Sequence, residues 1–222
     1  MIRLARPALA EFLGTAFLLC AVVGSGIMGA KLSAGNDAIA LLANSLATGG
    51  ALVALIAAFG PVSGAHFNPA VTIFEFVGGR TSWPVALSYI PAQAAGAVCG
   101  VIAAHAMFGL PLIQASRHVR ASTGELIGEV IATLGLLLTI WGVARSRPDA
   151  VPVAVASYIV GAYWFTSSTS FANPAVTVAR SLTDTFAGIA PGSVAGFLVA
   201  QFIAVLFAVV TAKALTPEIT RT

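Results

Sequence analysis

Six long apolar stretches, near residues 8–30, 38–60, 83–109, 126–144, 151–169 and 190–215, occupy most of this 222-residue chain. A helix needs about 20 apolar residues to cross a hydrocarbon layer about 30 Å thick, and each stretch is of that order. Only 9% of the residues are charged, against roughly 25% in water-soluble domains, and those charges gather between the stretches. Little chain remains for a separate soluble domain, so the expected fold class is an all-α membrane protein forming one domain over 1–222. Arg3 and Arg6 ahead of the first stretch give it the look of a secretory leader. It is too long for a leader's apolar core and carries Glu11 inside it, so it reads as a retained span.

The formal net charge is +3, yet the basic residues form no run or stripe, and no nucleic-acid partner is expected. Their placement fits a topology with both termini in the cytoplasm. Arg3, Arg6, Arg80, Arg145, Arg147, Lys213 and Arg221 then lie inside, and Lys31, Arg117, Arg120 and Arg180 outside, a modest positive-inside bias. Cys20 and Cys99 sit within apolar segments and read as small packing residues rather than a disulfide or metal pair. No nucleophile–base pair, metal-ligand cluster or phosphate loop stands out, so neither enzymatic activity, a cofactor nor a metal is expected.

The pentapeptide Asn68-Pro69-Ala70-Val71-Thr72 recurs letter for letter as Asn173-Pro174-Ala175-Val176-Thr177. Glu11 with Thr15 opens the first half and Glu129 with Thr133 the second; Ala92-Gln93 follows the first pentapeptide and Ala200-Gln201 the second. One order at similar offsets points to a duplicated unit, near 1–115 and 116–222. Each unit holds three spans. Three is odd, so the second unit starts on the opposite side of the membrane, and the copies are inverted. The segments following the motifs, about 68–77 and 173–182, are half a span long. Each reads as a helix start, with Asn at the N-cap and Pro at the first helical position. Upstream, Gly60-Pro61-Val62-Ser63-Gly64 and Ser167-Ser168-Thr169-Ser170 read as non-helical backbone, which membrane depth tolerates only where it lines a cavity. The expected architecture is therefore six transmembrane helices plus two re-entrant half-helices whose N-termini meet near the midplane.

With both motifs and their contexts Gly64-Ala65-His66-Phe67 and Ser170-Phe171-Ala172, the chain resembles, over nearly its whole length, the major intrinsic protein family of aquaporins and aquaglyceroporins. Two half-helix dipoles facing a narrow pore would repel cations, protons included. If each Asn oxygen caps its own helix, the Asn68 and Asn173 amide nitrogens are left to orient a passing solute. The resemblance implies that Glu11 and Glu129 accept hydrogen bonds from the re-entrant loops. The competing reading is a carboxylate favoured by a helix N-terminus and solvated by headgroups. It also implies filter positions at Thr48, Gly161, Ser170 and Val176, counted back from or directly following the motifs. In most of the family an arginine stands where this chain has Val176. All four positions are small and uncharged, which implies a wide, arginine-free constriction. That departs from strict water channels and typical glycerol channels, and looks like the divergent bacterial branch associated with arsenic-resistance operons. Arsenous acid, its methylated relatives, glycerol-like polyols and water are the implied solutes.

Arg180 leaves two readings open. One turn beyond Val176 it could return positive charge to the outer mouth and make a water-selective channel; otherwise it is a surface arginine at a half-helix C-terminus. His66 is either a pH-sensitive vestibule residue or a hydrogen-bonded loop residue. The pairs Gly96/Gly100, Gly124/Gly128 and Gly192/Gly196 have the spacing of close helix contacts. A secondary carrier is the rival architecture, since inverted repeats and broken helices build carriers too. The resemblance further implies a homotetramer with one pore per subunit. A bacterial inner membrane is the expected location.

Overall fold

A computed structural model describes the backbone of residues 2–216 and the side chains of 4–216. Arg221 and the side chain of Arg3, used above for topology, lie outside the described residues. Among those described there are eight α-helices and no strand: α1 Ile2–Leu32, α2 Asp37–Ser63, α3 Pro69–Val77, α4 Trp83–Met107, α5 Thr123–Ser146, α6 Val151–Phe165, α7 Pro174–Arg180 and α8 Pro191–Ala214. Their ends follow local chemistry. Asn36 caps α2 by accepting from the Ala38 and Ile39 N–H groups. Ser122 and Glu125 form a reciprocal capping box at α5. One Pro stands at the first or second position of each of α3, α4, α6, α7 and α8, where its missing N–H costs no hydrogen bond.

Five helices, α1, α2, α4, α5 and α8, are long and apolar enough to cross a bilayer. The sixth long element differs from the sequence reading. α6 has 15 residues, roughly 22 Å at about 1.5 Å per residue. A 3₁₀ turn at Pro148–Ala150 precedes it, and Ser167–Ser170 leave the helix for the re-entrant loop. A second difference lies in α2. Gly60–Ser63 are helical, because Pro61 perturbs only the turn before it, and the helix ends at Gly64 in the left-handed conformation, φ 85°.

α1 packs on α2 and α4, α5 on α6 and α8, and α2 on α6. The half-helices trade partners across the two halves of the chain: α7 packs on α4 and α3 on α8, and α3 touches α7. α1 and α4 approach closely because Gly96 and Gly100 face backbone. A Cβ on either would lie 2.2 Å from the carbonyl oxygens of Phe12 and Ala16 respectively. In the other two pairs only the second glycine is closely packed: a Cβ on Gly128 would lie 3.1 Å from the Ser168 backbone nitrogen and one on Gly196 3.1 Å from Leu126 Cδ2. Gly192 has open space around it, and Gly124 meets only the Ser167 hydroxyl at ordinary contact distance. Phe17, Val199, Leu206, Phe207 and Val210 project outward, as expected of helices bathed in lipid rather than water.

Candidate pore

The two re-entrant loops are built alike. Ala65 and Phe67 in the first, and Ser170 and Ala172 in the second, hold positive φ of 48–52°. Non-glycine residues adopt this conformation only under external constraint. Two buried carboxylates supply it. Glu11 Oε1 accepts from Ser63 Oγ (2.6 Å) and the His66 N–H (2.9 Å), and its Oε2 accepts from the Phe67 N–H (2.6 Å) and Gln93 Nε2 (2.8 Å). Glu129 accepts from the Phe171 and Ala172 N–H groups (2.8 and 2.9 Å) and Gln201 Nε2 (2.6 Å). The same glutamines donate to Thr72 and Thr177, one turn inside each half-helix. Neither glutamate reaches headgroups, since both are fully buried. An isolated buried carboxylate would be costly; three or four donors aimed at it offset the lost hydration.

The half-helices meet through their caps. Asn68 Oδ1 accepts from the Ala70 N–H (2.8 Å), and Asn173 Oδ1 from the Ala175 and Val176 N–H groups (3.0 and 3.3 Å). Each amide nitrogen crosses to the opposite loop: Asn68 Nδ2 donates to the Ala172 carbonyl (2.7 Å) and Asn173 Nδ2 to that of Phe67 (2.8 Å). Half of each donor is thus committed to joining the loops. One N–H of each NH₂ group remains for the lumen. Pro69 and Pro174 set the first turn of each half-helix, and the small Ala70 and Ala175 are buried where the two helices converge.

Asn68 and Asn173 line a cavity of about 860 Å³. One end is bounded by Glu75, Arg80, Arg145 and Asp149, and the other by Thr48, Tyr163, Phe171, Val176 and Arg180. The latter end, beneath the segments 108–122 and 181–190, is the outer one in the topology read from the sequence. The wall between is apolar: Val151, Val155, Ile159 and Tyr163 of α6 face Leu52 and Ile56 of α2. His66 lines the inner half, with Nδ1 3.0 Å from Thr72 Oγ1.

Thr48, Ser170 and Val176 are brought together at the outer end. Gly161 is not, which corrects its assignment to the filter. α6 turns its Val151, Val155, Ile159, Tyr163 edge to the cavity, and a residue two positions from Ile159 and Tyr163 lies about 200° away around the helix. Gly161 instead neighbours the ring of the lipid-exposed Phe165. Tyr163 takes the place in the wall, its hydroxyl 3.2 Å from Thr48 Oγ1. Gapless counting missed it because register on a helix follows the buried face, and the fourfold spacing of 151, 155, 159 and 163 was the available signal.

Arg180, left open by the sequence between mouth and surface, lies at the mouth. It is not a surface residue: it is 2% exposed and lines the cavity one turn beyond Val176. Its Nε donates to the Ala187 carbonyl, and its guanidinium lies 3.4 Å from the centroid of Phe171. The outer end is therefore lined by an arginine after all. Ser170, in the same cavity wall, has its Oγ buried without a hydrogen-bond partner.

An apolar helical body enclosing a cavity with charged groups at its two ends, and two half-helix N-termini abutting in its middle, defines a membrane pore protein. The profile of the family described as Major intrinsic protein matches residues 1–169. Aquaglyceroporin AqpS of Rhizobium meliloti (strain 1021) is 50% identical over 200 residues, spanning 90% of this chain and 85% of that protein. Aquaporin TIP1-2 of Zea mays is 34% identical over 168 residues, 71% of this chain and 65% of that one. The crystal structure of the aquaglyceroporin from Plasmodium falciparum superposes with a TM-score of 0.73 at 21% identity, covering 98% of this chain and 97% of that one, and shares its fold. The chain belongs to the major intrinsic protein family, whose members are channels rather than enzymes.

Proposed function

We propose that this protein is a passive channel for small uncharged hydroxyl-bearing solutes: glycerol-like polyols, arsenous acid with its methylated relatives, and water. The observation that carries the reading is the lining of the cavity's outer end, which brings Thr48, Ser170 and Val176 together with the guanidinium of Arg180. A solute hydroxyl passing there has the Thr48 hydroxyl and the remaining N–H groups of Arg180 as partners. Val176 offers the apolar contact that a polyol's carbon edge needs. Arsenous acid is uncharged at neutral pH and similar to glycerol in size and hydroxyl pattern. The 50% identical relative, an aquaglyceroporin by name, supports the polyol class.

In this reading the free N–H groups of Asn68 and Asn173 orient the solute, and the two dipole ends exclude protons and cations. Glu11 and Glu129 hold the loops that present those groups. Inverted repeats near 1–115 and 116–222, a homotetramer, cytoplasmic termini and a bacterial inner membrane complete the proposal. A water-selective channel is the second reading, favoured by the burial of Arg180 in the cavity wall.

Osmotic light scattering on proteoliposomes with water, glycerol and arsenous acid separates the two. Rapid entry of all three, linear in concentration and without proton leak, supports the polyol reading. Entry of water alone overturns it in favour of the second. Saturable uptake with counterflow would make the protein a carrier.

A further inference from the structure

Two arginines share one aromatic ring at the outer end. The Arg180 guanidinium lies 3.4 Å from the centroid of Phe171, and that of Arg120 lies 5.3 Å from it. They are also held by neighbouring carbonyls: Arg180 Nε donates to Ala187 O, and Arg120 Nε to Gly188 O at 3.0 Å. Arg180 lines the cavity and Arg120 does not. Arg120 belongs to the α4–α5 connection, which is pinned across the α7–α8 connection by backbone bonds from Gln114 to Leu182 and Ser116 to Ser181, both 3.0 Å. The Arg120 N–H donates to Ser193 Oγ (3.1 Å), so the start of α8 anchors it as well.

We infer that Arg120 is a positioning residue for the outer constriction: it fills the half of the Phe171–carbonyl cradle that lies away from the lumen and so keeps the Arg180 guanidinium in the cavity wall. Guanidiniums are attracted to an aromatic face and repel one another. With the far site taken by a like charge fixed to Gly188, Arg180 has no cradle to retreat into. The nearby carboxylates offer no alternative, since Glu129 is engaged by the second re-entrant loop and Glu125 by Ser122. The width and charge of the pore's outer end are thereby set by a loop residue that touches no solute. This rests on reading Arg180 as part of the filter.

The experiment compares R120A, R120K, R180A and R120A/R180A in proteoliposomes, reading the ratio of erythritol to water permeability rather than either flux alone. R120A is expected to raise the ratio by roughly two- to fivefold, the scale of a lost cation–π contact. R120K, which keeps the charge without the planar stack, should raise it less. R180A should raise it at least as far, and the double variant should match R180A. A general loosening of the fold would alter both fluxes without this epistasis. No change in R120A while R180A raises the ratio overturns the positioning role, as does a full R120A effect persisting in the R180A background. No change in R180A sinks the filter reading itself. Monodisperse elution in detergent qualifies each variant, and R120Q replaces R120A if the alanine protein fails it.

Discussion

Val176 and Arg180 occupy one face of a single half-helix, and in the proposed channel their order along it sets what the outer end passes. Placing the apolar residue inward and the charge one turn outward lets the guanidinium lie on Phe171 instead of across the lumen. Val176→Arg would set a second cation beneath the first. It is expected to suppress glycerol and arsenous acid entry while sparing water, read by light scattering. Unchanged selectivity in a well-folded variant would mean that Val176 does not face the path. Glu129 carries a different kind of burden. In Glu129→Gln the amide can no longer accept from the Phe171 N–H, the Ala172 N–H and Gln201 at once. Charge-assisted bonds of this type contribute about 1.5–3 kcal/mol each. A large fall in thermal midpoint in detergent is expected, together with loss of flux. A midpoint within a degree or two of wild type would show that the loop holds its positive-φ residues without the carboxylate.

Close helix approach separates the α1–α4 pair from the rest. Gly96→Ala and Gly100→Ala each drive a methyl into a carbonyl oxygen of α1, and overpacking of this kind costs roughly 1–3 kcal/mol. Gly192→Ala meets open space and should be close to neutral. Thermal unfolding of the three in one detergent tests the contrast, and equal behaviour would refute it. The connections over the outer end form a second unit. Asp184 accepts from both the Arg117 N–H (2.9 Å) and Arg117 Nε (2.7 Å), and those bonds, the backbone one foremost, hold its pKa below the usual aspartate value. A depressed carboxylate stabilises the docked loops above its unfolded pKa, and that contribution fades as pH falls through the depressed value. Amides of the 114–118 segment should exchange faster near about pH 3 than near about pH 5, after correction for intrinsic rates. Asp184→Asn should remove that difference; a difference that survives the substitution would assign the loosening to another group.

At the scale of the molecule, the passage exists because each half completes the other. α7 of the second half packs on α4 of the first, α3 on α8, and each Asn binds the opposite loop. The dipole ends therefore face each other across a fixed gap, and a charge change on either side is felt by both. Asn68→Asp and Asn173→Asp keep a capping oxygen but replace the crossing donor by an acceptor aimed at a carbonyl. Both should weaken proton exclusion, read as faster collapse of a pH gradient in dye-loaded proteoliposomes. Tight vesicles with both variants would show that exclusion does not depend on the donors at this junction.

What could be read without coordinates was whatever a local pattern carries by itself. Apolar length required a membrane, the paired pentapeptide required two helix starts, and an odd number of spans required them to oppose. Each is a statement about composition, capping or parity, which hold wherever the chain goes. The matched Glu and Gln positions were visible as repeats, but which N–H groups they bind depended on how the loops fold back. The filter was misread at Gly161, and Arg180 was left between mouth and surface, because both turn on which way a helix is rotated and what packs behind it. Tyr163 faces the cavity because α6 is seated against α2 and α5. Arg180 lies in the wall because Phe171 just before its half-helix, Ala187 just after it and Arg120 from the distant α4–α5 connection converge on it. Rotation and convergence are decided by the sum of tertiary contacts, and no short stretch of sequence contains that sum.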